Sequence, residues 1–253
     1  MQRNYDAINH VAADFPAEAV FTTRCGGVSR APYAALNLGD HVGDSPQAVA
    51  ANRLVLAQAF PGRQLIYMEQ VHGCEVRYVS THGDQAVPGR CDGIITDDPG
   101  VALVVLTADC LPLLLASDDG AWVAAVHCGW RSVAQGIIPR ALAILSGHGG
   151  QRPWAFVGAG IGRASFEVGG EVQEALAGPD PQLAGFFEPH RSGRLLCDLR
   201  GICHHQLRAH GVSKILDLDE DTCACPQYFY SYRRDGTTGR QACAIGKKIR
   251  PQL

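Results

Sequence analysis

Two imidazoles and one thiol stand in three separated segments of this chain: Gln70-Val71-His72-Gly73, Thr107-Ala108-Asp109-Cys110 and Val126-His127-Cys128-Gly129-Trp130-Arg131. Each lies near the end of an apolar, strand-like run. Two histidine nitrogens and a cysteine sulfur form a donor set that suits zinc, and three protein ligands leave a fourth position open for water or substrate. The same residues allow a second chemistry, because a Cys110 thiolate activated by a nearby histidine is a nucleophile that needs no metal. Copper also accepts imidazole and thiolate. A multicopper cluster, however, needs many paired histidines, and no His-X-His occurs in the chain.

Spacing brings two of the three residues together. Cys110 and His127 flank two apolar runs joined by Asp118-Asp119-Gly120, a turn signal that predicts a hairpin. With Asp118 and Asp119 at the turn centre, Cys110 faces His127 directly, at about 4.5–5.5 Å between Cβ atoms. A centre one residue later makes the pair diagonal and still reachable. Spacing does not place His72, although Gly73 lets the backbone bend beside it. Cys223-Ala224-Cys225 lacks the two-residue spacer of zinc and redox pairs. Cys25, Cys74, Cys91, Cys128, Cys197, Cys203 and Cys243 show no ligand spacing and are read as packing residues.

The elements that must position these groups follow from periodicity. Strands are predicted over 65–68, 76–79, 101–106 and 122–126, and helices over 47–60, 133–146, 170–177 and 198–210. Ser45 and Pro46 suit the N-cap and first position of the first helix. Strands and helices do not alternate regularly, which predicts an α+β fold with layered sheets covered by helices, not a doubly wound parallel one. No repeat or linker divides the sequence, so residues 1–253 are read as a single domain.

Composition is that of an ordinary globular protein. Of 253 residues, 46% are hydrophobic and 19% charged, with a formal charge of −3, and a chain of this length buries roughly 70–75% of its unfolded surface. The basic residues are scattered, Arg233-Arg234 and Lys247-Lys248 being the adjacent pairs. Neither nucleic acid nor a membrane is therefore expected as a partner. The N-terminal segment has no apolar signal core, so the ten cysteines are expected as reduced thiols in the cytoplasm.

A longer set of motifs accompanies the trio. Thr23-Arg24-Cys25-Gly26-Gly27-Val28-Ser29, Leu36-Asn37-Leu38-Gly39, His41-Val42-Gly43-Asp44 and Asn52-Arg53 precede it, and Asp92-Gly93, Phe166-Glu167-Val168-Gly169 and Phe229-Tyr230-Ser231-Tyr232-Arg233-Arg234-Asp235 lie between or after its members. With these the chain resembles the laccase-domain, or YfiH-like, family, also labelled polyphenol oxidase. The resemblance covers about residues 20–245. It implies a single α+β domain of the cysteine-hydrolase type in which His72, Cys110 and His127 are the zinc ligands, with copper as the alternative ion.

The activity implied is purine nucleoside phosphorolysis of adenosine, inosine and S-methyl-5'-thioadenosine, accompanied by adenosine deamination. The partners expected are thus purine nucleosides and phosphate. The older oxidase label implies copper-dependent polyphenol oxidation. A link of some members to peptidoglycan precursor quality control suggests a metal-independent Cys-His hydrolase or amidase.

Phosphorolysis needs cationic donors near the metal. Arg131 is the first choice because a guanidinium grips phosphate bidentately, with Asn37, Arg53 and Arg233 as further substrate-binding candidates. Deamination needs a proton-shuttling carboxylate, for which Glu69 and Asp109 are nearest in sequence. The chain departs from the family at Cys128 and Ser132, where Ala and Gly are usual, and at Ala159, where Pro is usual.

Overall fold

Continuous apolar runs such as Val101–Thr107 are strands buried on both faces. The computed structural model describes residues 4–81 and 87–249. In chain order these form β1 (Ile8–His10), β2 (Ala17–Thr22), α1 (Pro46–Ala57), β3 (Gln64–Tyr67), β4 (Val76–Tyr78), β5 (Gly93–Thr96), β6 (Val101–Thr107), β7 (Leu111–Ala116) and β8 (Val123–Cys128). There follow α2 (Trp130–Ala134), α3 (Ile137–Gly147), β9 (Trp154–Val157), β10 (Glu167–Val168), α4 (Gly170–Ala177), β11 (Phe187–Pro189) and β12 (Leu195–Cys197). The chain closes with α5 (Leu199–Ala209), β13 (Lys214–Asp217), α6 (Tyr232–Asp235) and β14 (Gln241–Lys247).

One sheet has the order β1-β2-β14-β6-β3 and a second the order β13-β9-β7-β8-β5-β4, with β10-β12-β11 forming a small third sheet. Alternation within single strands shows how the two large sheets stack. Val101, Leu103 and Val105 of β6 share a core with Val123 and Ala125 of β8, alongside Phe21, Phe156 and Ile245. The intervening Ala102, Val104 and Leu106 pack instead with Leu56 at α1 and with Phe60. Ala124 and Val126 of β8 join Leu142 and Leu145 of α3, Val172 of α4 and Ile202 of α5. Side chains on a strand point to opposite faces with period two, so the chain forms four layers, helix, sheet, sheet and helices. It is a single α+β domain, as expected.

Two local expectations are corrected. The helix expected over 133–146 is interrupted by Gly136, which takes φ 81° between α2 and α3. A left-handed glycine ends one helix and re-aims the chain before the next. In the hairpin, Leu111 pairs with Cys128 and Pro112 with His127. The turn centre is therefore one residue later than Asp118-Asp119, and Cys110 lies diagonal to His127. Gly120, at φ 69°, absorbs the left-handed position that sets this register.

Candidate metal centre

Cys110 and His72 both lie where the chain passes between the two large sheets. The Cys110 segment joins β6 of the first sheet to β7 of the second, and the His72 segment joins β3 to β4. His127, two residues beyond Ala125 on β8, faces the same side as the core between the sheets. Two crossings and one strand end thus converge at one edge of the sandwich. The crossings bend sharply, with His72 at φ 59° and Asp109 at φ 97°. For residues with a Cβ this left-handed region is strained.

A single carboxylate holds the convergence together. Asp92 is 0% exposed and accepts hydrogen bonds from the backbone N–H groups of Val71 (3.2 Å), His72 (2.9 Å) and Gly73 (2.7 Å). Its Oδ1 also lies 2.8 Å from His127 Nδ1, and its carbonyl accepts the His127 N–H at 2.7 Å. With Nδ1 engaged by the carboxylate, Nε2 is the His127 nitrogen left for a metal. Gln70, two residues before His72, clamps the site strand by donating to the Leu106 carbonyl and accepting from the Leu106 N–H, at 2.8 and 2.9 Å.

One ligand atom from each of His72, Cys110 and His127 lies within 4.8 Å of the others. The Cys110 Sγ to His72 Nε2 distance is 3.9 Å, and the imidazoles meet edge to face at 4.8 Å between centroids. Tetrahedral zinc with ordinary bond lengths separates such atoms by roughly 3.3–3.6 Å. A contraction of up to about 1.5 Å completes the fit. Gly129 borders all three ligands, since a Cβ there would stand 3.1 Å from Cys110 Sγ and from His72 Cδ2. Among the described residues this is the one cluster of three His, Cys, Asp or Glu side chains arranged to hold an ion.

The protonation states suit ligation. Burial pushes the Cys110 thiol up, but the facing His127 and His72 outweigh it and bring it down to about 6. Burial also acts to lower His127, yet the Cys110 charge and the Asp92 hydrogen bond raise it to about 9. Asp92 ends below the usual carboxylate range: burial opposes ionisation, while His127 and the Gly73 and His72 amides hold the charged form. A thiolate is thus available at neutral pH, and the thiolate is the form that binds metals or attacks.

Residues expected beside the trio take varied positions. Asp109 is engaged through both oxygens, by the Thr222 hydroxyl at 2.7 Å and the Arg233 N–H at 2.6 Å. Arg233 in turn donates to the carbonyls of Ser165 and Glu167, bracing α6 against the 163–168 segment. Glu69 is exposed and faces Arg90 at 3.6 Å. Asn37 is 0% exposed. It donates to Gly39 O and Asp44 Oδ2 and accepts from the N–H groups of Gly39 and Arg240. Arg131 is exposed on α2 with its guanidinium 4.2 Å from the Trp130 ring centroid. Arg53 lies on the Tyr67 ring at 4.0 Å and pairs with Asp40 at 3.1 Å.

Sequence reasoning assigned no role to Asp92 or Arg240. Asp92 could have been found from strand pairing alone, because Gly93 pairs with Val126 and so sets Asp92 beside His127. The departure at Ala159 lies in a tightly packed run: a Cβ at Gly160 would stand 2.4 Å from Leu111 Cδ2 and 3.0 Å from Asp109 O. The Ile161 N–H donates to that same Asp109 carbonyl at 2.7 Å. The glycines therefore let this segment support the site loop from below.

Comparisons with known proteins extend over nearly the whole chain. The sequence model of a family described as multi-copper polyphenol oxidoreductase laccase matches residues 18–248. Purine nucleoside phosphorylase YfiH of Escherichia coli K12 is 38% identical over 229 residues, covering 90% of this chain and 92% of the relative. A purine nucleoside phosphorylase of Corynebacterium glutamicum is 39% identical over 236 residues, covering 91% and 94%. Among solved structures, Neisseria meningitidis protein NMB0706 aligns with a TM-score of 0.88 at 34% identity, covering 96% of this chain and 100% of that one. YlmD from Geobacillus stearothermophilus aligns with a TM-score of 0.88 at 32% identity, covering 98% of each chain.

Proposed function

The chain belongs to the multi-copper polyphenol oxidoreductase laccase family, and from that membership we propose that it is a zinc-dependent purine nucleoside phosphorylase. Its substrates are adenosine, inosine and S-methyl-5'-thioadenosine with phosphate, and an adenosine deaminase activity accompanies the phosphorolysis. The observation that carries this reading is the open His72, Cys110 and His127 trio, within 4.8 Å, in a chain whose relatives are named purine nucleoside phosphorylases. Zinc held there by His72, Cys110 and His127 would supply a Lewis acid.

The chain's own residues do the remaining work. Cys110 contributes a thiolate already favoured by its imidazole neighbours. Asp92 fixes the orientation of His127 and, through three backbone N–H groups, the strained loop carrying His72. Asp109 is occupied on both oxygens, so proton shuttling during deamination falls to the exposed Glu69. The ten thiols are unpaired and fit a reducing cytoplasm. No helix among the described residues is long and apolar enough to cross a membrane.

One observation favours a second reading. Cys110, His127 and Asp92 are also arranged as nucleophile, base and orienting carboxylate, which suits a metal-independent hydrolase or amidase. A copper oxidase would use the same three ligands for a single ion. The deciding experiment follows base release from inosine and adenosine, with and without phosphate, in zinc-loaded, copper-loaded and chelated protein and in Cys110→Ala. Phosphate-dependent release that needs zinc and Cys110 is the expected result. Absence of release under every metal condition would falsify the phosphorylase reading, and turnover of amide substrates that survives chelation would establish the hydrolase.

A further inference from the structure

A cavity of about 520 Å³ lies at the C-terminal end of the parallel β3 and β6 strands, a volume in the range of small-molecule sites. Gln70 and Leu106, which clamp each other across its wall, are two and four residues from His72 and Cys110. Both segments that cross to the trio therefore begin at this cavity.

Its lining is amphipathic. The buried Met68 and Leu106 and the exposed Val87 supply apolar surface. The charged groups among the described lining residues are Asp40, Glu69 and Arg53, so carboxylates outnumber cations. His41 adds no charge at neutral pH, because burial and the nearby Arg240 hold its imidazole below the ordinary 6.5. Such a lining disfavours an anion through like-charge repulsion and suits a neutral ligand that donates hydrogen bonds.

Arg53 is committed to holding one of these acceptors. Its Nε donates to Leu38 O at 3.0 Å, its guanidinium lies 4.0 Å from the Tyr67 ring centroid, and its Nη2 pairs with Asp40 Oδ2 at 3.1 Å. Asp40 Oδ1 stands 3.5 Å from His41 Nδ1, longer than an ordinary hydrogen bond. The Asp40 side chain is 62% exposed, so a carboxylate oriented through one oxygen stays open at the other. An ionised carboxylate only accepts, and the hydroxyl groups of a ribose are matching donors, as at the acidic residue of dinucleotide sites.

We propose that the ribose of a purine nucleoside occupies this cavity with its hydroxyl groups donating to Asp40, and that the Asp40 and Glu69 carboxylates exclude nucleoside 5'-phosphates. The assignment rests on the phosphorylase reading for the identity of the ligand. It adds a sugar subsite and a selectivity for nucleosides over nucleotides.

The test compares initial rates of zinc-loaded protein, with phosphate present, on inosine, 2',3'-dideoxyinosine and inosine 5'-monophosphate. Wild type should show a KM for inosine lower by about tenfold or more than for either of the others. Asp40→Ala should raise the KM for inosine by about tenfold and move that for dideoxyinosine by less than about twofold, because the dideoxy sugar has no hydroxyl groups to lose a partner. Asp40→Asn and Glu69→Gln, which remove charge and keep shape, should each narrow the gap between inosine and its 5'-phosphate by about threefold. A purely structural role for Asp40 would raise both nucleoside KM values alike, and that result overturns the assignment. So does a wild type that handles inosine 5'-monophosphate as well as inosine.

Inosine cleavage with its KM unaltered in Asp40→Ala leaves the phosphorylase reading standing and overturns the subsite. If wild type leaves inosine intact, calorimetric titration with inosine decides. Binding that weakens in Asp40→Ala keeps the subsite while the phosphorylase reading fails, and absence of binding overturns the subsite.

Discussion

The β7–β8 hairpin has two ends, and they obey different rules. At its turn, Ser117 donates to Asp119 at 2.6 Å, the Ala121 N–H donates to the same carboxylate at 2.9 Å, and Trp154 Nε1 donates to Asp118 at 2.8 Å. The left-handed residue there is a glycine, Gly120. At the other end the left-handed residues are His72 and Asp109, a thiol faces two imidazoles, and one buried carboxylate gathers three backbone N–H groups. Within these two ends, the turn residues satisfy local sequence preference and the residues holding the trio override it, as strained backbone at functional sites does.

The contrast breaks most decisively at Asp92. Asp92→Asn leaves His127 without its charged partner, so metal affinity should fall by about 10–100-fold. Stability should drop by roughly 3 kcal/mol, because one member of a buried ionic pair is removed. Competition with a chelator and thermal melting read both quantities. Wild-type affinity in this variant would mean that the carboxylate does not orient the ligand.

Paired alanine substitutions of glycines sharpen the comparison. Gly129→Ala places a methyl 3.1 Å from Cys110 Sγ and should weaken metal binding by about tenfold with little change in melting. Gly120→Ala, at φ +69° with a Cβ 2.5 Å from Pro16 O, should cost about 1–3 kcal/mol of stability and leave metal affinity alone. Similar losses of metal affinity in both would erase the distinction between the two ends.

Titration of metal-free protein gives a smaller signal with a definite sign. His127 is raised from 6.5 to about 9, so its stabilisation is full below 6.5 and is lost as pH rises through about 9. Cys110 is lowered from 9.0 to about 6, so its stabilisation is full above 9 and is lost as pH falls through about 6. The folded pair thus releases protons near 6 and 9, and the unfolded pair near 6.5 and 9. Stability should therefore change little between pH 6 and 9, while the ion pair exists throughout that window. Thiolate absorbance, taken as wild type minus Cys110→Ala, should rise with a midpoint near pH 6. A midpoint near 9 would show that the imidazoles do not stabilise the thiolate.

The smallest effect is expected at the turn. Asp119→Asn keeps the side-chain shape and lies near the surface, so its melting should differ from wild type by less than about 1 kcal/mol, with unaltered metal binding. A loss comparable to that of Asp92→Asn would make the two ends energetically alike.

Sequence patterns revealed much of the layering. The continuous apolar run 101–106, buried on both faces, and one-sided helices such as 170–177 follow from local chemistry, and α4 spans Gly170–Ala177. The break at Gly136 was hidden because its flanks, Trp130–Ala134 and Ile137–Gly147, both read as helix. Cys110 and His127 could be related through a turn, to within one residue of register. His72 reaches them through a passage between sheets, which no local pattern encodes, and its place in the trio was implied only by the family resemblance. Arg240 and Asp92 escaped for a similar reason: each acts on residues more than 30 positions away.

Because His72 and Cys110 lie on the two segments that carry the chain from one sheet to the other, an ion between them would act as a rivet across the seam. A partly folded chain with the sheets undocked would lose this coordination geometry in one event. Metal would then bind the finished architecture and not its parts, stabilising it in proportion to the logarithm of free metal. Occupancy of the rivet would report that both sheets had closed.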